Sequence, residues 1–168
     1  MGIFNKLFGK NRKASKSFTL NNIAWAFSTK LYATSDDFNK EIIAYQKAIC
    51  GTEECWKPEE IVFDFPEILI QYVAWIKEAS DLLENEILID DDQAVFDYEP
   101  HEDDMYQVEI IATLKADNGK NFTALEFLMK THNQQANKEL GDHVFFEGTD
   151  ENPKIIDGLP LCYIACGS

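Results

Sequence analysis

The chain has 168 residues, of which 45% are apolar and 12% aromatic, and its formal net charge is −15. This composition is typical of a folded globular protein and excludes a disordered chain. The length fits one domain, and 5 Pro and 8 Gly leave no long flexible linker. We therefore predict a basic N-terminal lead segment, residues 1–17, followed by a single acidic domain, residues 18–168.

The charge is distributed unevenly along the chain. Residues 1–35 contain six bases and no acid, whereas residues 36–168 contain all 30 acids and nine bases, a formal charge of −21. A surface this negative repels phosphate backbones, so we predict no direct nucleic-acid binding. It would attract a basic protein, a metal ion or a cationic ligand. The alternative to a binding role is that the negative charge only keeps the protein soluble.

No segment has the pattern of a secretory signal or a membrane span. The start, MGIFNKLFGKNRK, lacks the apolar core of about 7–15 residues that a signal needs. No apolar run approaches the roughly 18 residues of a transmembrane helix. We therefore expect a soluble cytoplasmic protein with reduced thiols. Neither the pair Cys50 and Cys55 nor the pair Cys162 and Cys166 has the C-x₂-C spacing of structural zinc. The four cysteines are Cys50, Cys55, Cys162 and Cys166.

The first predicted elements are a strand and a helix. Apolar side chains alternate with small ones between Phe18 and Tyr32, which favours a strand. Ser35 is then a suitable N-cap for a helix that runs through Cys50, and Gly51 ends it. The alternating residues of the strand are Ile23, Trp25 and Phe27.

A short strand at Ile61–Phe63 leads into the most strongly signalled helix, predicted from Asp64 to Glu84. Asp64 can cap this helix, Pro66 suits its first turn, and Glu67 occupies the capping-box position. Apolar residues then recur at roughly helical spacing. They are Leu69, Tyr72, Val73, Ile76 and Leu83.

Strands and one further helix are predicted in the second half. The helix begins at the capping box Thr123-x-x-Glu126 and ends before Gly141. The resulting order, β-α-β-α-β-β-α-β-β, predicts an α+β fold with a mixed or antiparallel sheet packed by about three helices. The predicted strands of this half are Ala94–Tyr98, Tyr106–Ala116, His143–Glu147 and Pro160–Cys166.

The candidate functional site is an acidic segment between Asp81 and Asp104, which holds eleven acids and no Lys or Arg. Like charges at this density repel one another, so a cation, a basic partner or solvent must compensate them. Asp90-Asp91-Asp92 lacks the glycine and distal glutamate of a calcium loop. The predicted partner-binding residues are Asp90, Asp91, Asp92, Asp97, Tyr98, Glu99, Glu102, Asp103, Asp104 and Tyr106, with the two tyrosines as aromatic anchors.

Histidines give weaker signals. The carboxylates around His101 favour its protonated form, which would make it pH-responsive. His132 lies on the apolar stripe of the third helix, where a hydrogen-bonded core histidine is the usual role. A metal site of His132, His143 and Glu147 is the alternative, although the spacing of the histidines matches no zinc motif.

No nucleophile elbow, phosphate loop or dinucleotide fingerprint is present, so we predict no catalytic residue and no cofactor. The leading hypothesis is a non-enzymatic acidic module that docks or neutralises a basic protein, as inhibitor and immunity-type proteins do. One alternative is a metal-dependent or carboxylate-based enzyme that uses His132, His143, Glu147 or the acidic segment. The other is a self-associating structural subunit whose basic lead pairs with the acidic body of a neighbour; the sequence does not give the oligomeric state.

Overall fold

The computed structural model describes residues 18–168, and the predicted lead segment, residues 1–17, lies outside them. Two α-helices and nine strands make up the regular structure of the described part. The helices are α1 (Ser35–Cys50) and α2 (Ala124–Gln135). The strands are β1 (Phe18–Thr19), β2 (Ile61–Phe63), β3 (Glu67–Ile76), β4 (Glu86–Leu88), β5 (Tyr106–Lys115), β6 (Phe122–Thr123), β7 (Phe145–Asp150), β8 (Lys154–Ile156) and β9 (Leu159–Gly167).

Seven of these strands form one mixed sheet. Its order is β1-β7-β9-β3-β5-β4, and β8 pairs with the start of β9. β3 and β9 run parallel, with Leu69–Gln71 opposite Leu161–Tyr163, while the other pairs in the sheet are antiparallel. A separate antiparallel pair joins β2 to β6. The predicted α+β class with a mixed sheet is therefore confirmed.

The core lies between one face of the sheet and the helices. Alternate side chains of β3, from Ile68 to Ile76, are at most 2% exposed, whereas those between them are half-buried. Phe38 and Ile42 of α1 and Phe127 and Leu128 of α2 belong to the same apolar cluster, and all four are 0% exposed. Burying each of these side chains contributes about 1.5–3 kcal/mol.

The starts of both helices and the end of α1 follow the predicted signals within one residue, whereas the end of α2 does not. Thr34, one residue before the predicted cap, accepts a hydrogen bond from the backbone N–H of Asp37 (3.2 Å), and Gly51 closes α1 at φ 74°. Thr123 caps α2 by accepting from the N–H of Glu126 (3.2 Å), as predicted. α2 ends at Gln135, well before Gly141. Within the described residues, neither helix combines the length and the apolar character needed to cross a membrane.

The helix predicted from Asp64 to Glu84 is wrong, because its centre is the ten-residue strand β3. The residues chosen as a helical stripe are also compatible with alternation, and burial of every second side chain is the pattern realised. β-branched and aromatic side chains such as Ile70, Tyr72 and Trp75 pack well on a pleated sheet and favour that outcome. Only a single 3₁₀ turn, Ala79–Asp81, forms within the remainder of the predicted helix before Glu84.

Two predicted strands also differ from the structure. Between Phe18 and Tyr32 the regular strand is only β1, followed by a single bridge from Ala26 to Phe145. The predicted alternation is nevertheless real, since Ile23, Trp25 and Phe27 are at most 5% exposed. The segment Ala94–Tyr98 contains a 3₁₀ turn rather than a strand. The other predicted strands are present with ends shifted by up to three residues.

Candidate partner-binding surface

The predicted partner-binding residues lie in or beside the connection between β4 and β5. We call residues 89–105 the acidic connection. It carries six exposed acidic residues, and the partly buried Asp92 is a seventh. The side chain of Glu102 lies outside the described part of the structure. The six exposed acids are Asp90, Asp91, Asp97, Glu99, Asp103 and Asp104.

The acidic connection is tied to the sheet at its start. The N–H of Ile89 donates to the carbonyl of Glu109 in β5 (3.1 Å), and the N–H of Glu109 donates to Oδ2 of Asp92 (2.6 Å). The amide of Gln93 donates to the carbonyl of Leu88 (2.6 Å). One carboxylate oxygen of Asp92 is therefore hydrogen-bonded within the protein. The exposed acids around it remain available for other contacts.

The two predicted aromatic anchors have different environments. Tyr98 is 71% exposed and is free to contact a partner. Tyr106 is half-buried at the start of β5, where its ring meets Phe96 edge-on at 5.1 Å and its hydroxyl donates to the carbonyl of Tyr98 (3.1 Å). Tyr106 thus positions the backbone that presents Tyr98.

A tight turn ends the acidic connection. The N–H of His101 donates to the carbonyl of Met105 (2.9 Å), and the backbone between them is left-handed at Asp103 (φ 68°) and Asp104 (φ 56°). Aspartate is among the non-glycine residues that adopt this conformation most readily. The turn places the ring of His101 edge-on to Trp75 of β3, with 5.4 Å between ring centroids.

A surface cleft of about 580 Å³ lies beside this turn, and we call it the Trp75 cleft. Trp75 belongs to the half-buried series of β3 residues. Its backbone N–H donates to the carbonyl of Glu139 (2.7 Å). The cleft adjoins the acidic connection because both share the turn at the end of that connection. The residues that line it are Trp75, His101, Asp103, Met105, Glu139, Gly141 and Asp142.

The lysines of the described residues do not neutralise the acidic connection. Seven contacts within 4.0 Å join a lysine to a carboxylate, as between Lys30 and Glu41 (2.8 Å) or Lys130 and Asp117 (2.6 Å). Among the side chains that the structure describes, none of these contacts involves an acid of the acidic connection. Within the described part, no lysine contact therefore offsets its charge.

Glu86 belongs to the predicted acidic segment but is an interior residue. Its side chain and that of Lys138 are both 0% exposed, and Nζ lies 2.8 Å from Oε2. Glu86 also accepts from the hydroxyl of Tyr72, the amide of Gln134 and the N–H of Leu83. Burial acts to raise the pKa of Glu86, but the hydrogen bonds from Lys138 and the other donors outweigh it and lower the pKa.

Sequence reasoning missed this buried pair. Lys138 lies beyond the end of α2 and Glu86 in a short strand, so no spacing rule connects two residues 52 positions apart. Long-range pairing of this kind depends on how α2 crosses the sheet, and the sequence pattern carries no signal for that.

The residues considered for a metal site have different environments: His132 is buried, whereas His143 and Glu147 are exposed. His132 is 0% exposed, and both of its ring nitrogens have protein partners: Trp25 donates to Nδ1 (3.1 Å) and Nε2 contacts the carbonyl of Lys30 (2.7 Å). Burial lowers the pKa of His132. His143 is exposed beside Asp142, 2.8 Å away. No group of three or more His, Cys, Asp or Glu residues suited to a metal ion occurs among the described residues.

Cys162 and Cys166 are unsuited to nucleophilic chemistry at neutral pH. Burial raises the pKa of Cys162 to about 12, and burial together with the charge of Glu147 raises that of Cys166 to about 12. Both thiols are therefore protonated at neutral pH, and the thiolate is the reactive form. All four cysteines are free of disulfides, and Cys50 and Cys55 are exposed.

Comparisons of the chain with protein-family models, with curated proteins and with solved structures found no match. The function must therefore be inferred from the charge, exposure and contacts of the residues themselves.

Proposed function

We propose that the protein is a non-enzymatic binding module whose acidic connection docks or neutralises a basic protein. The observation that carries the proposal is the set of six exposed acids without a lysine partner among the described residues. Within the described residues, each lysine that pairs with a carboxylate pairs with one outside the acidic connection and does not lower the repulsion within it. This leaves a concentrated negative potential for a positively charged partner.

The backbone of the acidic connection favours binding because it is already held in place. Hydrogen bonds to β5 at Glu109, and from Tyr106 to Tyr98, fix its path before any partner arrives. A preformed surface loses less conformational entropy on association than a loop that must first become ordered. The arrangement therefore suits fast, electrostatically steered association.

Tyr98 supplies an apolar contact within the charged surface. Tyrosine is enriched among residues that dominate binding energy, because it buries a large ring and keeps a hydroxyl for hydrogen bonding. Tyr98 is 71% exposed, so it has a large area to bury on association. We expect the carboxylates to set the association rate and Tyr98 to slow dissociation.

The proposal includes a location and a class of partner. We expect the partner to be encountered in the cytoplasm, where the four cysteines stay reduced. A formal charge of −21 over residues 36–168 disfavours nucleic acid as the direct ligand. The expected partner is therefore a basic protein.

Charge reversal tests the proposal. In the full-length variant Asp90→Lys/Asp91→Lys/Asp97→Lys, we expect the association rate with a basic partner, isolated by affinity capture at low salt, to fall by about tenfold to a hundredfold. The wild-type rate should fall steeply as salt is added, since the charges are screened. Stopped-flow or surface-based kinetics with the purified partner measure both effects.

The matched control reverses the same number of charges elsewhere. Glu54→Lys/Glu59→Lys/Glu60→Lys changes three exposed acids near the end of α1 and gives the same net charge. An equal loss of rate in both variants would show that only net charge matters. A capture profile without basic proteins, or a salt-independent rate, would reject the proposal.

A further inference from the structure

The Trp75 cleft is built around one aromatic side chain that is held from both sides. In the sheet, Trp75 lies opposite Gln107 of β5, and on its other side it forms a single antiparallel bridge with Glu139. Gly141 passes close to the indole, since a Cβ at this position would stand 3.4 Å from Nε1. The backbone of Trp75 is therefore held on both sides, and its ring packs beside Gly141 and edge-on to His101.

The polar groups of the cleft are mostly acidic. Three exposed acids line it: Asp103 from the acidic connection, and Glu139 and Asp142 from the segment after α2. No lysine or arginine is among the lining residues. Oε1 of Glu139 accepts from the N–H of Gly141 (3.0 Å), which fixes this carboxylate near the indole. Its other oxygen has no such contact among the described residues.

An aromatic wall rimmed by carboxylates is complementary to a planar cation. A guanidinium group stacks on an indole face and donates hydrogen bonds to carboxylates along its edge, and it is less strongly hydrated than an ammonium group. The volume of about 580 Å³ is within the usual range for small-molecule sites, about 300–1,000 Å³. The cleft has space for one such side chain and its backbone.

We propose that the Trp75 cleft receives an arginine side chain of the basic partner, with the guanidinium against Trp75 and its donors directed at Asp103, Glu139 and Asp142. This inference rests on the proposed function and adds a specific contact to it. The acidic connection attracts the partner by charge, whereas the cleft selects one side chain and fixes the register of the complex.

Trp75 itself provides the signal for a test on the full-length protein. The other two tryptophans, Trp25 and Trp56, are only 5% and 6% exposed, so fluorescence changes from an added peptide report chiefly on Trp75. The probes are acetyl-Gly-Arg-Gly-amide and the same peptide with citrulline, which has the shape of arginine without its charge. We expect the arginine peptide to change the fluorescence saturably and to protect it from quenching by acrylamide, and the citrulline peptide to do neither.

Neutral amide variants then identify the acids that take part. Asp103→Asn/Glu139→Gln/Asp142→Asn keeps the shape of the cleft, the acceptor for Gly141 and the fluorescent reporter. Loss of three charges and their charge-assisted hydrogen bonds should weaken the binding of the arginine peptide by at least about tenfold. The control, in which Glu54, Glu59 and Glu60 become glutamine, loses the same net charge and should bind within about twofold of wild type.

The outcomes separate this inference from the proposed function. Equal binding of the arginine and citrulline peptides, equal weakening in both amide variants, or no response of Trp75 overturns the cleft assignment. A lysine peptide that binds as tightly as the arginine peptide overturns the guanidinium selectivity. Charge reversal at Asp90, Asp91 and Asp97, which do not line the cleft, tests the proposed function alone. If that reversal has no effect while the arginine peptide still binds, the proposed function fails and the arginine site remains.

Discussion

The indole N–H of Trp25 donates to Nδ1 of His132 across 3.1 Å, although 107 positions separate the two residues. On the other side of the imidazole, Nε2 lies 2.7 Å from the carbonyl oxygen of Lys30. An indole N–H can only donate and a carbonyl can only accept, so the ring is neutral with its proton on Nε2. A second proton on Nδ1 would face the indole N–H and break this arrangement.

The contact predicts a loss of stability in mild acid. The folded pKa of His132 is below its ordinary value of 6.5, first because burial disfavours the charged form. Between the folded pKa and 6.5 the unfolded chain binds the extra proton, so the free energy of unfolding falls as the pH falls. The slope is at most about 1.4 kcal/mol per pH unit for this one group. Urea titrations at a series of pH values measure it.

Histidine variants isolate that effect. His132→Gln removes the titrating ring and should flatten the pH dependence below 6.5, at the cost of lower stability at neutral pH. His143→Gln, at an exposed position, is the control for replacing a histidine and should leave the free energy of unfolding at neutral pH within about 0.5 kcal/mol of wild type. A variant at His132 with an unchanged slope would contradict the prediction.

The buried pair of Glu86 and Lys138 should be essential for stability. Lys138→Met leaves a carboxylate without its cation in a site of 0% exposure, which should lower the free energy of unfolding by about 3–5 kcal/mol. Lys115→Met, which breaks the exposed pair with Glu67, should cost less than about 1 kcal/mol. Chemical denaturation of both variants gives the comparison.

A double variant tests whether Glu86 and Lys138 act together. Glu86→Gln also disturbs the network, but combined with Lys138→Met it removes the uncompensated charge. The combined loss should therefore be smaller than the sum of the two single losses, as expected for residues in direct contact. Strict additivity would mean that the two side chains stabilise the fold independently.

The unpaired acids of the acidic connection should lower stability at low salt. Asp90→Asn/Asp91→Asn removes two exposed charges from a surface without lysine partners, so we expect a gain in the free energy of unfolding of less than about 1 kcal/mol. The gain should disappear in about 1 M salt, where the Debye length is only about 3 Å. A gain that is the same at both salt concentrations would point to a local cause instead of charge repulsion.

The turn between β8 and β9 should be sensitive to one glycine. Asp157 (φ 51°) and Gly158 (φ 83°) form a two-residue, left-handed hairpin turn between the paired Ile156 and Leu159. Nothing lies within 4 Å of a Cβ added at Gly158, so Gly158→Ala reports backbone strain alone. We expect a loss of about 1–2 kcal/mol in thermal or chemical denaturation.

Asp157→Asn is the matched control for this turn. Asparagine adopts the left-handed conformation about as readily as aspartate, so its stability should stay within about 0.5 kcal/mol of wild type. Similar losses of stability in both variants would show that the turn tolerates no change of side chain. The loss in Gly158→Ala would then not be due to the positive φ of Gly158 alone.

Some of the fold follows directly from local chemistry. The caps at Thr123 and Gly51 and the strand β5 depend on a few neighbouring residues, and the sequence predicts them within a residue or two. The segment of β3 shows where this fails. Asp64 and Pro66 give a valid start for a helix, but pairing with β5 over ten residues decides the outcome, and neighbours 30 to 48 positions away are invisible to a local pattern.

The candidate site was predictable in its charge but not in its shape. The concentration of acids around Asp90 can be read from the chain, and the exposure of six of them is a property that charge alone favours. By contrast, the Trp75 cleft joins residues from β3, the acidic connection and the segment after α2. The sequence pattern gives Trp75 no role, because the segment around it is also compatible with the interior of a helix.

The position of β9 in the sheet has a consequence for how the chain acquires its structure. β9 joins β7 and β8 to β3, yet in the chain it follows all the other strands of the described sheet. During synthesis the β3 edge of the β3–β5–β4 sheet must stay unpaired until residues 159–167 have left the ribosome. Such an edge is open to pairing with other chains. We infer that the nascent protein passes through an aggregation-prone stage that ends only when β9 inserts, and that translation pauses before residue 159 would prolong it.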